Sequence, residues 1–274
     1  MATCYRHPSR ETGVSCSNCG RPICPDCMTT TPVGMRCPEC ASQRTKVVRM
    51  RELSKIPRVT YALIAVNVLV FLTEQGQFTV FGSNIYGKVI DEGFLARATI
   101  AAGHSQYWRL VTSGFLHENL LHIGFNMYLL YILGLMLEPA IGSVRFAVIY
   151  GTALLAGSFG VVFATANASL GASGAIFGLM GAAVVELRAR GLSVQQSGIG
   201  GLIVINLILS FTLANISVGA HIGGLIGGFL AGLAIRTADD RRVPVLGFVA
   251  CAALAAASVF AAIAVSGATG SGIA

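Results

Sequence analysis

Residues 219–236 read GAHIGGLIGGFLAGLAIR. Until Arg236 closes this stretch, its one ionisable side chain is His221. Ala220, Gly224, Gly228 and Gly232 recur every four residues, so they share one face of a helix. Small residues at that spacing let helix backbones approach closely in lipid, where no hydrophobic effect drives helices together. An imidazole inside such a helix is costly and marks a functional site by default. The stretch therefore reads as a membrane-spanning helix that packs tightly on a neighbour and carries a buried base.

The composition outside this stretch agrees. The 274 residues are 54% hydrophobic and 11% charged, with a mean hydropathy of +0.71. Globular proteins carry about 25% charged residues, so much of this surface must face lipid. A spanning helix needs about 20 apolar residues. Seven runs are candidates: 57–74, 117–138, 144–166, 171–187, 198–214, 219–236 and 244–266. The fourth and fifth are short and rich in Gly and Ala. The first 55 residues hold no apolar core of a secretory signal. Cys251, within the last run, reads as a small hydrophobe.

Charge sets the orientation, because Lys and Arg concentrate in cytoplasmic loops. With the N-terminus inside, 16 of the 19 basic residues fall on that side; Lys88, Arg97 and Arg109 fall outside. The run Arg44, Lys46, Arg49, Arg51, Lys55 and Arg58 then anchors the topology against anionic lipid heads. The net charge of +7 does not call for nucleic acid, since no recognition fold accompanies it. The loop from Glu74 to Ser113 lies outside, and its Tyr107, Trp108 and Arg109 suit the headgroup level.

In this orientation the second, fourth and sixth runs all descend from the outer face. Each opens with polar residues: His117, His122 and Asn126 on the second, Ser173 on the fourth, His221 on the sixth. They share one depth just below the outer surface. Gly174, Gly178 and Ala182 give the fourth run a small-residue face like that of the sixth, which brings Ser173 within hydrogen-bond reach of His221. A hydroxyl needs a base to become a nucleophile, and His serves near neutral pH. Neither the fourth nor the sixth run offers an Asp or Glu near that level, and Glu186 is at the opposite end, so a Ser–His dyad is expected. His122 and Asn126, one turn apart, could hold an oxyanion together with the Ser173 backbone N–H. Singly, each feature has an ordinary explanation. Gly-x-Ser-Gly is a packing motif in a chain with 33 Gly, and a lone His bonds a carbonyl. His117 and His122 could be half of a metal site, but no carboxylate or thiol ligand joins them at that level: Glu118 is adjacent in sequence and, on a helix, faces elsewhere. The common depth favours catalysis.

These residues resemble the rhomboid family of intramembrane serine proteases, over about Val59 to Arg236. The motifs, in order, are Trp108-Arg109, His117-x4-His122-x3-Asn126, Gly134-x3-Glu138, Gly171-Ala172-Ser173-Gly174 and Ala220-His221-x2-Gly224-x3-Gly228. The resemblance implies an all-α polytopic membrane protein with a six-helix core and a water-filled cavity open to the outside. It implies a serine endopeptidase that cuts peptide bonds in or near transmembrane segments of other membrane proteins, without a catalytic cofactor. By motif, Ser173 is the nucleophile, His221 the general base, and Asn126 and His122 the oxyanion donors. Glu138 and Arg109 are then structural. The family often has Tyr, stacked on the catalytic His, four residues after the nucleophile; here it is Phe177, and stacking can survive without the hydroxyl. The seventh run is an extra C-terminal helix added to the core. The expected location is a plasma or inner membrane, with the N-terminus cytoplasmic and the site opening to the outer face.

Seven of the eight cysteines precede position 41. Cys4-x2-His7, Cys16-x2-Cys19, Cys24-x2-Cys27 and Cys37-x2-Cys40 supply eight ligands, enough for two structural Zn²⁺ ions in tetrahedral sites. Disulfides would need an oxidising compartment, against the charge bias. Some 40 residues also cannot build a sufficient core without staples. Interleaved pairing puts Cys4, His7, Cys24 and Cys27 on one ion and Cys16, Cys19, Cys37 and Cys40 on the other, which resembles B-box and RING-like modules. Consecutive pairing stays open. Residues 1–58 are formally +6, and two ions with seven thiolates lower that to about +3, which weakens a nucleic-acid role further. A cytoplasmic protein partner is the expectation for this module.

The expected organisation is thus a zinc-binding module at 1–42, a basic linker at 43–58, a six-helix core at 59–243 and a C-terminal helix with tail at 244–274. A transporter is the main rival and would show inverted repeats and broken helices, of which the sequence gives no clear sign. A non-catalytic family relative would normally lack the serine or the histidine. A zinc protease would need His-Glu-x-x-His, which the membrane part lacks.

Overall fold

A computed structural model describes residues 2–42, 56–73, 88–101, 104–164, 168–212 and 216–270. Arg44, Lys46, Arg49, Arg51 and Lys55 of the basic run lie outside the described residues, as do positions 74–87 of the first outer loop. The chain forms two compact units, Met1–Lys55 and Ile56–Ala274.

The first unit is built on turns. Strands β1 (Ala2–Thr3) and β2 (Glu11–Thr12) pair antiparallel, as do β3 (Thr29–Thr31) and β4 (Gly34–Arg36), and a short helix α1 (Pro38–Ser42) follows. Its buried apolar cluster consists of Ile23 and six cysteines, Cys4, Cys16, Cys24, Cys27, Cys37 and Cys40. One aliphatic side chain cannot offset the entropy of ordering forty residues, which costs about 1 kcal/mol or more for each backbone unit.

The second unit is helical. Helix α2 (Arg58–Thr73) precedes three short helices of the outer loop, α3 (Lys88–Gly93), α4 (Arg97–Ile100) and α5 (Arg109–Thr112). The bundle continues with α6 (Leu120–Ile141), α7 (Ser143–Ala164), α8 (Ser173–Ala189), α9 (Ile199–Thr212), α10 (Val218–Asp240) and α11 (Pro244–Gly270). Helices α6, α7, α10 and α11 are long and apolar enough to cross a bilayer. Helices α2 and α9 are apolar but shorter, at 16 and 14 residues, and α8 has 17. Large apolar residues such as Leu69, Tyr128, Phe163, Phe211 and Phe260 face outward, while Thr60, Asn67, Ser158, Asn206 and Ser210 are buried. That inversion is what a lipid surroundings demands: polar side chains find partners only inside the bundle.

One helix start differs from expectation. The second apolar run was expected to open its helix at His117, but α6 begins at Leu120. Asn119 caps it, its side-chain oxygen accepting from the His122 N–H at 2.8 Å. Asn is among the best N-caps, so the helix starts after it, and His117 and Glu118 lie in the preceding loop.

Two devices hold the bundle together. The first is glycine contact. On α8 and α10 the small residues meet in register: Gly174 lies against Ala220 and Gly224, Gly178 against Gly228, and Ala182 against Gly232. A Cβ on Gly224 or Gly228 would overlap the facing backbone of α8. The second is Glu138, buried on α6. Its carboxylate accepts from the N–H groups of Val59 (2.9 Å) and Thr60 (2.8 Å), from Thr60 Oγ1 (2.7 Å) and from Ser143 Oγ (2.6 Å). Those two amides belong to the first turn of α2 and have no partner within that helix, so a carboxylate from another helix caps it.

Candidate active site and metal-binding clusters

The segment before Ser173 is held from both sides. Ser169 and Leu95 exchange two backbone hydrogen bonds of 2.8 and 2.9 Å, and the Gly171 N–H donates to the Ser113 carbonyl at 2.8 Å. The outer loop that carries Leu95 is in turn fixed by Arg109. Its Nε donates to Gln106 Oε1 (2.6 Å), its Nη1 to the Phe94 carbonyl (2.8 Å), and its guanidinium lies over the Phe94 ring. Arg97 donates to the carbonyls of Val162 and Phe163, at the end of α7. Gly171 takes φ +120°, a conformation side chains rarely adopt, and a Cβ there would come within 2.8 Å of His122 Nε2. This turn delivers Ser173 as the first residue of α8.

His221 lies in the first turn of α10, which Ser217 caps by accepting from the Ala220 N–H. The glycine contact between α8 and α10 sets the distance: His221 Nε2 is 2.7 Å from Ser173 Oγ. Phe177, one turn after Ser173, stacks on the imidazole with ring centroids 4.2 Å apart and planes 16° from parallel. Ser173 is half-buried and His221 is buried.

The oxyanion candidates border the same turn. The His122 ring lies against Gly171, and the His117 ring meets it edge-on with centroids 5.0 Å apart. Asn126 is buried one helical turn below, and its Nδ2 donates to the His122 carbonyl at 2.9 Å. A cavity of about 20 Å³, room for one water, lies against Gly171, Ala172 and Gly174, with Ser113, Ser158 and Ser169 in its wall.

One neighbour of His221 was not anticipated. Ser210, buried on α9, places its Oγ 2.5 Å from His221 Nδ1 and 2.6 Å from the Asn206 carbonyl. The available signal was Asn206 and Ser210 four residues apart, on one face of an otherwise apolar helix.

In the first unit the eight ligand residues fall into two groups. Cys4, His7, Cys24 and Cys27 form one, and Cys16, Cys19, Cys37 and Cys40 the other; within each, the ligand atoms lie within 4.8 Å of one another. Both groups could hold a metal ion. Their donor sets, Cys₃His and Cys₄, suit a tetrahedral thiophilic cation. The surroundings also favour thiolate: the Cys37 N–H donates to Cys16 Sγ at 3.3 Å and helps hold that thiol down to about 6. At Cys27, burial and the neighbouring sulfurs of Cys4 and Cys24 push the thiol up to about 11, a cost that a bound cation would remove. His7 Nδ1 lies 3.3 Å from Cys24 Sγ and 3.5 Å from Cys27 Sγ.

Fold and site together define a class: a multi-pass, all-helical membrane protein whose bundle buries a serine–histidine contact. The Rhomboid domain family model matches residues 104–238. Rhomboid protease GluP of Bacillus subtilis is 37% identical over 182 residues, which cover 65% of this chain and 35% of GluP. "Putative rhomboid protease YdcA" of the same organism is 31% identical over 148 residues, covering 52% of this chain and 74% of YdcA. RHOMBOID-like protein 6, mitochondrial, of Arabidopsis thaliana is 35% identical over 134 residues, covering 47% of this chain and 43% of that protein. The chain thus spans about a third of GluP and under half of the Arabidopsis relative. It belongs to the rhomboid family.

Proposed function

We propose that this chain is an intramembrane serine endopeptidase that cuts transmembrane protein substrates. The observation that supports the reading most is the 2.7 Å approach of His221 Nε2 to Ser173 Oγ. The Ser173 hydroxyl attacks the substrate carbonyl carbon, and His221 Nε2 takes its proton. The oxyanion that forms is held by the Ser173 backbone N–H with His122 and Asn126. His221 returns the proton to the leaving amine, the C–N bond breaks and an acyl-enzyme remains. A water, deprotonated by His221, then releases the second product and restores Ser173. The family relatives named as proteases support the same reading.

The concentration of Lys and Arg before the first apolar run and in alternate connections of the sequence favours a cytoplasmic N-terminus in a cell or inner membrane, with the site opening to the outer face. A helical backbone hides its carbonyls in hydrogen bonds, so cleaved substrates carry helix-weakening small residues near that face. The ligand groups of the first unit each hold one Zn²⁺, which acts as a structural staple. The module they fold docks a cytoplasmic protein.

A fluorophosphonate probe tests the nucleophile. Wild type is labelled, and Ser173→Ala and His221→Ala are not. Equal labelling of Ser173→Ala would overturn the assignment. A substrate series in which small residues near the outer face make no difference to cutting would overturn the substrate preference.

A further inference from the structure

His221 has two ring nitrogens, and only one arrangement of its protons lets it act as a base toward Ser173. Nε2 must offer a lone pair, so the neutral ring must carry its hydrogen on Nδ1. No carboxylate contacts Nδ1 among the described residues; its partner is Ser210 Oγ at 2.5 Å. We propose that Ser210 is the positioning residue that selects the Nδ1–H form of His221, with the Asn206 backbone carbonyl directing the Ser210 hydroxyl. The proposal rests on His221 being the base, as proposed above.

The direction of the chain of hydrogen bonds decides the tautomer. A serine hydroxyl has one hydrogen. Ser210 is buried, and its Oγ lies 2.6 Å from the carbonyl of Asn206, one turn earlier on α9. A carbonyl only accepts, so the hydroxyl hydrogen points there. Oγ then turns a lone pair toward Nδ1, which must be the donor. Nε2 is left unprotonated, 2.7 Å from the Ser173 hydroxyl. Were the Ser210 hydrogen on Nδ1 instead, the Asn206 carbonyl would keep only its helical N–H partner, and Nε2–H would point at the Ser173 oxygen, leaving His221 no lone pair to take the proton.

The other groups facing the ring cannot make this choice. Phe177 stacks on its face and is indifferent to the position of the proton. His122 lies across the Gly171 turn, on the Ser173 side. When His221 takes the proton of Ser173, the same bond receives the Nδ1–H of the imidazolium, and the Asn206 carbonyl polarises Ser210 as an acceptor. A hydroxyl backed by a carbonyl thus fills, without charge, the place a buried carboxylate takes in other serine hydrolases. A neutral partner fits a low-dielectric bundle, where an unpaired carboxylate would be costly.

The test combines kinetics with a spectrum. In ¹⁵N-histidine-labelled full-length protein, the neutral ring of His221, assigned by its loss in His221→Ala, should show a protonated Nδ1 and a bare Nε2. Ser210→Ala should mix the two tautomers and lower kcat about 10- to 100-fold, the range expected for one hydrogen bond to a charged group, with KM little changed. Ser210→Thr keeps the hydroxyl and should stay within about 3-fold of wild type. A protonated Nε2 in wild type would overturn the proposal, as would Ser210→Ala with unchanged kcat and spectrum. If Ser210→Ala does not fold, the wild-type spectrum and Ser210→Thr still decide. The spectrum needs no turnover, so a wild type with Nδ1–H that no probe labels would sink the protease reading and leave the tautomer assignment standing.

Discussion

The two units of this chain are held by opposite means. The first has almost no aliphatic core; six cysteines and Ile23 occupy its centre, and two four-ligand groups account for every buried cysteine there. The second buries a long apolar core, with Leu130 and Leu133 on α6, Phe146 on α7 and Leu179 and Met180 on α8, and its helices α8 and α10 meet where side chains are missing, at Gly174–Gly224 and Gly178–Gly228. One region gathers two groups of donor atoms, each of which could hold a cation. The other depends on the absence of Cβ atoms. Each should therefore fail under a treatment that leaves the other intact.

Metal removal should have the largest effect. Apparent binding free energies of structural zinc are about 10–16 kcal/mol, well beyond what one buried Ile can supply. A strong chelator should make residues 2–42 susceptible to proteolysis and remove two ions per chain. Cys24→Ala should retain one ion, at the Cys16, Cys19, Cys37 and Cys40 group. Fluorophosphonate labelling of Ser173 should not change in either case. A metal-free chain whose first unit resists protease as before would break the comparison from one side.

Gly228→Val attacks the other side. The new side chain would overlap the backbone of Gly178, which cannot move without displacing α8. Overpacking of this kind costs about 1–3 kcal/mol and more where the obstacle is backbone. Thermal unfolding of the membrane unit should fall markedly, and labelling of Ser173 should be lost, because the same helix contact sets the distance to His221. Metal content should stay at two ions. Glu138→Gln comes next: an amide would turn two hydrogens toward donors at Val59, Thr60 and Ser143, for a loss of about 2 kcal/mol in thermal stability.

What the sequence discloses differs between the units for the same physical reason. Ligand spacing and small-residue spacing are local patterns, so the eight donor residues and the close contact of α8 with α10 are legible in residue order; which donor pairs share a group is not, because interleaved and consecutive pairing use the same spacings. Contacts between segments of no regular period are not legible either. The Leu95–Ser169 pairing that supports the Ser173 turn uses backbone atoms alone and leaves no trace in side-chain identity. The apolar run from 117 suggests a helix that opens at His117, but the Asn119 side chain caps it and sets its start at Leu120. Ser210 gives no such signal, because a serine on an apolar helix ordinarily satisfies itself on the carbonyl four residues back, as this one also does; its 2.5 Å approach to His221 Nδ1 is a contact between two helices that share no period.

The smallest effect should come from Phe177, and it separates packing from chemistry within the site. Its ring lies nearly parallel to His221 at 4.2 Å and offers no hydrogen bond. Stacked aromatic pairs contribute about 0.5–1.5 kcal/mol beyond area, so Phe177→Leu should lower kcat/KM about 2- to 10-fold. Phe177→Tyr keeps the ring and should change kcat/KM by less than about 3-fold, since aromatic stacking does not require the hydroxyl. Measured on one transmembrane substrate, the pair of variants has a clear reading. If Leu is harmless, the imidazole is held by Ser210 and the backbone of α10 alone. If Tyr is as damaging as Leu, the site has no room for a hydroxyl above the ring, and its dimensions are set by the close approach of α8 and α10.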